Sequence, residues 1–234
     1  MPSSFAQPYM YWVGADLPTE DPDEVKSWNA FYSGTHVPEV VAANPGFTHG
    51  HRYELVGPDP RGVDAPKYLA VYEMAHEGAA RTYGARNDGP AEGRPKYTSG
   101  PAVWETMTLK WRMIWRTFAE TGPAGGTPES IFVVGMNPPA NASPAELAEF
   151  NDYYTKTHLP EVTEAGPYTR GTRHELYRPF LHPGSGAPRY LALYEADDPD
   201  RTGGPLPGTQ PTPGPPIWDG RDTLWRLVYR RLPD

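Results

Sequence analysis

The sequence predicts an α+β fold: two tandem β-α-β-β-α-β units whose sheets pack face to face into a closed barrel. Three observations carry that expectation. Sequence blocks recur at matching places in the two halves, each half repeats one order of helical and alternating segments, and a Gly/Pro-rich stretch divides them. "WNAFYSGTHVPEV" from Trp28 answers to "FNDYYTKTHLPEV" from Phe150, and "KYLAVYE" from Lys67 answers to "RYLALYE" from Arg189. "WETMTLKWRMIWR" from Trp104 matches "WDGRDTLWRLVYR" from Trp218. The stretch 120–129 has no apolar periodicity and reads as a linker between a unit spanning 1–119 and a unit spanning 130–234.

Each unit opens on a short apolar strand, "YMYWVGA" or "SIFVVGM". A helix follows, begun in the second unit by Ser143 as N-cap, Pro144 in the first turn and Glu146 three residues after the cap. Its apolar stripe is Trp28, Phe31, Tyr32 and Thr35 in one unit and Phe150, Tyr153, Tyr154 and Thr157 in the other, at helical spacing. An uninterrupted helix would bury His36 against its own sheet, whereas Pro38 favours a break after Thr35 with a helical restart, which would leave His36 at a corner near the barrel mouth. Two alternating strands come next, at 46–56 and 67–74 in the first unit. "HEGAARTYGARND" can form a second helix, whereas its counterpart "DDPDRTGGPLPGTQPTPGPP" holds too much Pro and Gly to do so. A terminal strand around 111–117 or 225–231 closes each unit, completing a ferredoxin-like order. Such a sheet carries helices on one face and must bury the other. Packing the bare faces together meets that need and suggests a chamber between the sheets.

With 234 residues, 38% hydrophobic and 12% aromatic, the chain can bury a sizeable core. A net charge of −8 without a Lys/Arg-rich block argues against nucleic acid or an anionic membrane as partner. There is no cysteine, so disulfides, zinc thiolates and thiol nucleophiles are excluded. The first residues lack signal-peptide features and no apolar run approaches membrane-spanning length, which predicts a soluble cytoplasmic protein.

Alternation in "FTHGHRYEL" places Phe47, His49, His51, Tyr53 and Leu55 on one strand face and Thr48, Gly50, Arg52 and Glu54 on the other. The second unit gives Tyr168, Arg170, Thr172, His174 and Leu176 against Thr169, Gly171, Arg173 and Glu175. Arg52 and Glu54 recur, so their face reads as shared architecture, with Glu39 and Glu161 as candidate partners. His49 and His51 admit three readings: metal ligands, structural histidines, or pocket groups that move protons. No third ligand is evident, and no metal is expected. Tyr72, Trp111 and Tyr194 are candidate walls for a planar aromatic or polyketide-like ligand.

The pairing of "WNAFYSGTHVPEVVAANPGFTHGHRYEL" with an apolar first strand resembles the dimeric α/β-barrel superfamily, in particular its EthD-like branch. The shared feature is aromatic-x-x-x-His-x-Pro, here Tyr32 to Pro38 and again Tyr154 to Pro160. The resemblance implies ferredoxin-like units fused as an intramolecular barrel. It implies catalytic roles for His36, His51, His158 and His174, with Tyr32, His49, Tyr53, Tyr72, Trp111, Tyr154, Arg170 and Tyr194 as substrate-binding residues. The second unit lacks counterparts of His49 and His51, so one pocket is expected to be inactive.

The expected function is a cofactor-independent lyase or isomerase (dehydratase, decarboxylase or cyclase) using histidine acid/base chemistry on a hydrophobic, oxygenated small molecule. The alternatives are a cofactor-free monooxygenase, a haem protein with an axial histidine, and a non-catalytic module that binds an aromatic metabolite. Association into homo-oligomers is left open.

Overall fold

Alternating strands and an apolar helix stripe give each half a strand, a helical segment, two further strands and a closing strand. The computed structural model describes residues 5–59, 62–181, 186–198, 200, 203 and 211–233. The first half comprises β1 (Tyr9–Asp16), α1 (Pro22–Phe31), a π-helical turn (Tyr32–His36), α2 (Val37–Ala43), β2 (Phe47–Leu55), β3 (Tyr68–Met74), α3 (Glu77–Asp88) and β4 (Thr108–Thr121). The second comprises β5 (Ser130–Asn137), α4 (Pro144–Tyr153), a π-helical turn (Tyr154–His158), α5 (Leu159–Ala165), β6 (Tyr168–Leu181), β7 (Tyr190–Ala196), α6 (Pro216–Asp219) and β8 (Asp222–Arg231). β4 runs into the stretch expected to be linker. The counterpart of α3 falls largely outside the described residues.

All strand pairs are antiparallel and the sheet closes in the order β1-β3-β2-β8-β5-β7-β6-β4. Closure runs through β4 with β6 and through the shorter β2 with β8. The interior is filled. Met10, Trp12, Tyr53, Val71, Trp111, Met113, Trp115, Val133, Leu193, Trp225 and Tyr229 interlock there, all nearly inaccessible. Trp111 stacks on Trp225 with centroids 4.3 Å apart, and Trp12 meets Trp115 edge-on at 5.9 Å. Each ring contributes on the order of 4 kcal/mol of apolar burial. The open chamber expected between the sheets is therefore replaced by stacked indoles.

The other strand face meets the helices. Without a side chain at Gly50 or Gly171 the helices pack close, since a Cβ there would lie 2.5 Å from Val37 Cγ1 or 2.6 Å from Thr163 Oγ1. α4 opens on the expected capping box, with Ser143 and Glu146 bonded reciprocally.

The break expected after Thr35 does not occur. His36 and Val37 keep helical dihedrals, and the chain passes Pro38 by widening into a π turn in which Val37 N donates to Tyr32 O. The wide turn accommodates a proline ring that would otherwise press on the preceding turn. Tyr154–His158 repeats the solution before Pro160. His36 and His158 thus stay on the helix and face the outer surface of the sheet rather than the barrel mouth.

Candidate active site between the helices and the outer sheet face

Two cavities border the π turns. The one in the first half, about 180 Å³, is lined by Tyr11, Tyr32, His36, Tyr72, Tyr83 and Arg112 among others. Its counterpart in the second half, about 260 Å³, is bounded by Phe132, Tyr154, His158, Tyr194, Trp218 and Arg226, with Glu161 and Arg221 at its edge. A cavity near 150 Å³ holds a benzene ring, so the larger one has room for about two fused rings.

His158 sits in an aromatic box, with ring centroids 5.0 Å from Tyr154, 4.8 Å from Trp218 and 6.1 Å from Tyr153. Its Nδ1 is buried without a hydrogen-bond partner among the described residues. Burial, then the Arg221 charge, lowers its pKa to about 4, so the imidazole is neutral near pH 7. His36 is held alike among Tyr32, Tyr97 and Trp104, and burial lowers its pKa to about 4 as well. Tyr154 and Tyr194 hydroxyls approach to 3.5 Å, and burial raises both phenols.

Arg173 underpins this arrangement. Its guanidinium lies 4.3 Å from the Tyr154 ring centroid and donates to Asn151 O, Asn151 Oδ1 and Thr155 Oγ1 at 2.9–3.1 Å. Arg52 grips the first π turn through Asn29 O and Ser33 Oγ, over the Trp28 and Tyr32 rings. Neither pairs with the expected Glu39 or Glu161. Those carboxylates instead accept from Thr98 and Thr212, pinning the segments that carry Trp104 and Trp218 over the histidines.

Of the sequence-predicted site residues, Tyr32, His36 and Tyr72 meet at the first cavity and Tyr154, His158 and Tyr194 at the second. The sheet separates the others from both. Trp111 and Tyr53 belong to the barrel core. His51 Nε2 lies 3.2 Å from the buried Glu73 carboxylate at one end of the interior, with His49 Nδ1 3.7 Å from the same oxygen. Arg170 forms a buried ion pair with Glu195 at 3.2 Å, also contacts Glu120, and donates to Phe5 O. Burial nonetheless raises the Glu195 pKa to about 7. His174 is fully buried, bonded to Thr117 Oγ1 at 3.0 Å and Thr172 Oγ1 at 2.8 Å, and burial lowers its pKa to about 3. Of the two cavities at the π turns, the one in the second half is the larger. Sequence reading passed over Arg221, Arg226 and Trp218, although all three lie in the recurring "WDGRDTLWRLVYR" block.

Among the described residues no group of three or more His, Asp or Glu side chains is arranged to hold a metal ion. The residues present do not fit a haem either. At about 260 Å³ the second cavity falls below the roughly 300–1,000 Å³ of cofactor pockets. An axial histidine almost always donates its second ring nitrogen to an acceptor, and His158 Nδ1 has none among the described residues.

No protein-family model matches the sequence, and no curated protein matches it. Solved structures share its fold. A dye-decolorizing peroxidase from Bacteroides thetaiotaomicron superposes with a TM-score of 0.55 at 12% identity, covering 99% of this chain and 95% of that one. An anthrone oxidase-like protein gives 0.54 at 12% identity, covering 97% and 92%. A chlorite dismutase variant from Candidatus Nitrospira defluvii gives 0.53 at 10% identity, covering 96% and 91%. These likenesses show the ferredoxin-like α/β-barrel fold and do not carry the EthD-like branch. They also overturn the cofactor-independent lyase or isomerase expectation, because the names they bring are those of a peroxidase, an oxidase-like protein and a dismutase.

Proposed function

We propose that this protein is an oxidative enzyme acting on a planar, electron-rich aromatic held in the second-half cavity. The observation that carries the reading is the neutral His158 imidazole, which borders that cavity beside the Tyr154–Tyr194 phenol pair and two arginines. The oxidative names among its structural neighbours support the same direction. In this reading His158 accepts a proton from a phenol O–H or from a C–H beside a carbonyl, and the guanidiniums stabilise the anion that remains. That anion is more easily oxidised than its conjugate acid. Two electrons and two protons pass in total from substrate to dioxygen, giving the dehydrogenated product and hydrogen peroxide.

Oxygen uptake and hydrogen peroxide release with 1,4-dihydroxynaphthalene as substrate, which gives 1,4-naphthoquinone, test the proposal. His158→Gln is expected to lower uptake by about 10² to 10⁴, the range of base assistance. His36→Gln should leave it within a few fold. Activity should stay level from pH 8 to 5 and fall with a midpoint near 4, because the base form of His158 exists above its lowered pKa. Full uptake in His158→Gln, or product formed without oxygen uptake, overturns the reading.

The chain is further read as two duplicated ferredoxin-like units, 1–119 and 130–234, joined by 120–129, acting on a small molecule in the cytoplasm. No helix among the described residues is long and apolar enough to cross a membrane. Self-association, where it occurs, would use the helical layer, because the strands close on themselves.

A further inference from the structure

The two cavities differ at the positions that decide charge. Strand register makes Tyr11 and Phe132 equivalent, since each pairs with the second tyrosine of the following strand pair, Tyr72 or Tyr194. Arg112 and Arg226 are likewise equivalent, opposite Val13 and Val134. In the first half Arg112 already has acceptors: Nε donates to Tyr11 OH at 2.8 Å and Nη2 to Asn87 Oδ1 of α3 at 2.5 Å. Phe132 has no hydroxyl to offer Arg226. The Arg226 guanidinium lies 5.1 Å from the Phe132 ring centroid, with no carboxylate in salt-bridge range among the described residues. Three residues after the covering tryptophan, the first half has Met107 and the second has Arg221. Arg221 lies 4.0 Å from the Trp218 ring centroid and donates Nη1 to Trp218 O at 2.6 Å, and its side chain makes no other hydrogen bond to the described residues. Glu161, the acidic residue lining the cavity, is already bonded by Thr212.

We propose that the second-half cavity selects planar aromatics bearing an anionic group, a carboxylate or a phenolate, with Arg221 and Arg226 as its specificity-determining residues. The inference rests on reading this cavity as the substrate site. A guanidinium pairs with a planar oxyanion through charge-assisted, fork-shaped hydrogen bonds, and aromatic walls take the ring system. The first-half cavity, with its arginine spent on Tyr11 and Asn87, has no such preference.

Calorimetric titration with 2-naphthoate and with 2-naphthamide tests this, because the two share a ring system and differ in charge. The naphthoate is expected to bind about 10-fold more tightly, the scale of one charge-assisted hydrogen bond. Arg221→Met combined with Arg226→Met should bring the ratio to about one while naphthamide affinity holds. Phe132→Tyr, which offers Arg226 the acceptor that Tyr11 gives Arg112, should cut the preference several fold without removing any charge. Arg112→Met should leave it unchanged. Equal affinities in the unsubstituted protein, or an anion preference that survives the double substitution, overturns the inference. Oxygen uptake through His158 on a neutral aromatic, without anion preference in binding, removes this inference and leaves the oxidative reading standing. Anion-selective binding without oxidation does the reverse.

Discussion

Arg52 and Arg173 show how one buried cation can hold a helix to a sheet. Each guanidinium lies against aromatic faces and donates to the backbone carbonyl three residues before its π turn begins, Asn29 or Asn151. Burial lowers both pKa values to about 10, still far above neutrality, so the charge persists. Hydrogen bonds to a charged group contribute about 1.5–3 kcal/mol each. Arg173→Met keeps a similar length of chain and removes three of them, so we expect a loss of about 4.5 kcal/mol or more in urea denaturation. A loss below about 1 kcal/mol would mean that the ring stacking alone carries the contact.

At the scale of elements, the π turns and the segments above them act together. The turn sets the direction of the histidine, and Trp104 or Trp218 closes over it. What ties the second covering segment down is local: Glu161 accepts from both N and Oγ1 of Thr212, and Tyr153 OH donates to Thr212 O at 2.5 Å. Thr212→Val removes one of these bonds at an exposed site, where the effect on global stability is small. Amide hydrogen exchange across 211–218 is expected to speed several fold while that of β5 and β7 stays unchanged. Unaltered exchange in the segment would show that Trp218 packing alone anchors it.

At the scale of the molecule, the barrel trades a cavity for a core. The indoles of Trp12, Trp111 and Trp115 are buried with their N–H groups unpartnered among the described residues, a cost accepted for the volume these rings fill. Buried titratable groups then shape stability against pH. His36, His158 and His174 have folded pKa values lowered to about 4, 4 and 3, against about 6.5 when unfolded. The unfolded chain therefore binds more protons, and their contribution, present above about 6.5, is lost as pH falls toward 4. Glu195 has the opposite sign: its folded pKa is raised to about 7, and its contribution declines as pH rises from about 4.5 through 7. The urea midpoint should fall between pH 6.5 and 4.5, and His174→Gln should make that fall shallower. An equally steep fall in the variant would place the acid sensitivity elsewhere.

The sequence by itself determined the strand and helix order and which residues share a strand face. It also marked the aromatic-histidine-proline segment in both halves, because periodicity and proline chemistry act within a few residues. Only the tertiary structure decided which face holds a cavity. Period-two alternation assigns His51 and Arg52 to opposite faces without saying which one is filled, and four converging tryptophans fill the inner one. The same limit hid Arg226, which among the described residues lacks the acceptor that Phe132, a residue 94 positions away in the chain, does not offer it.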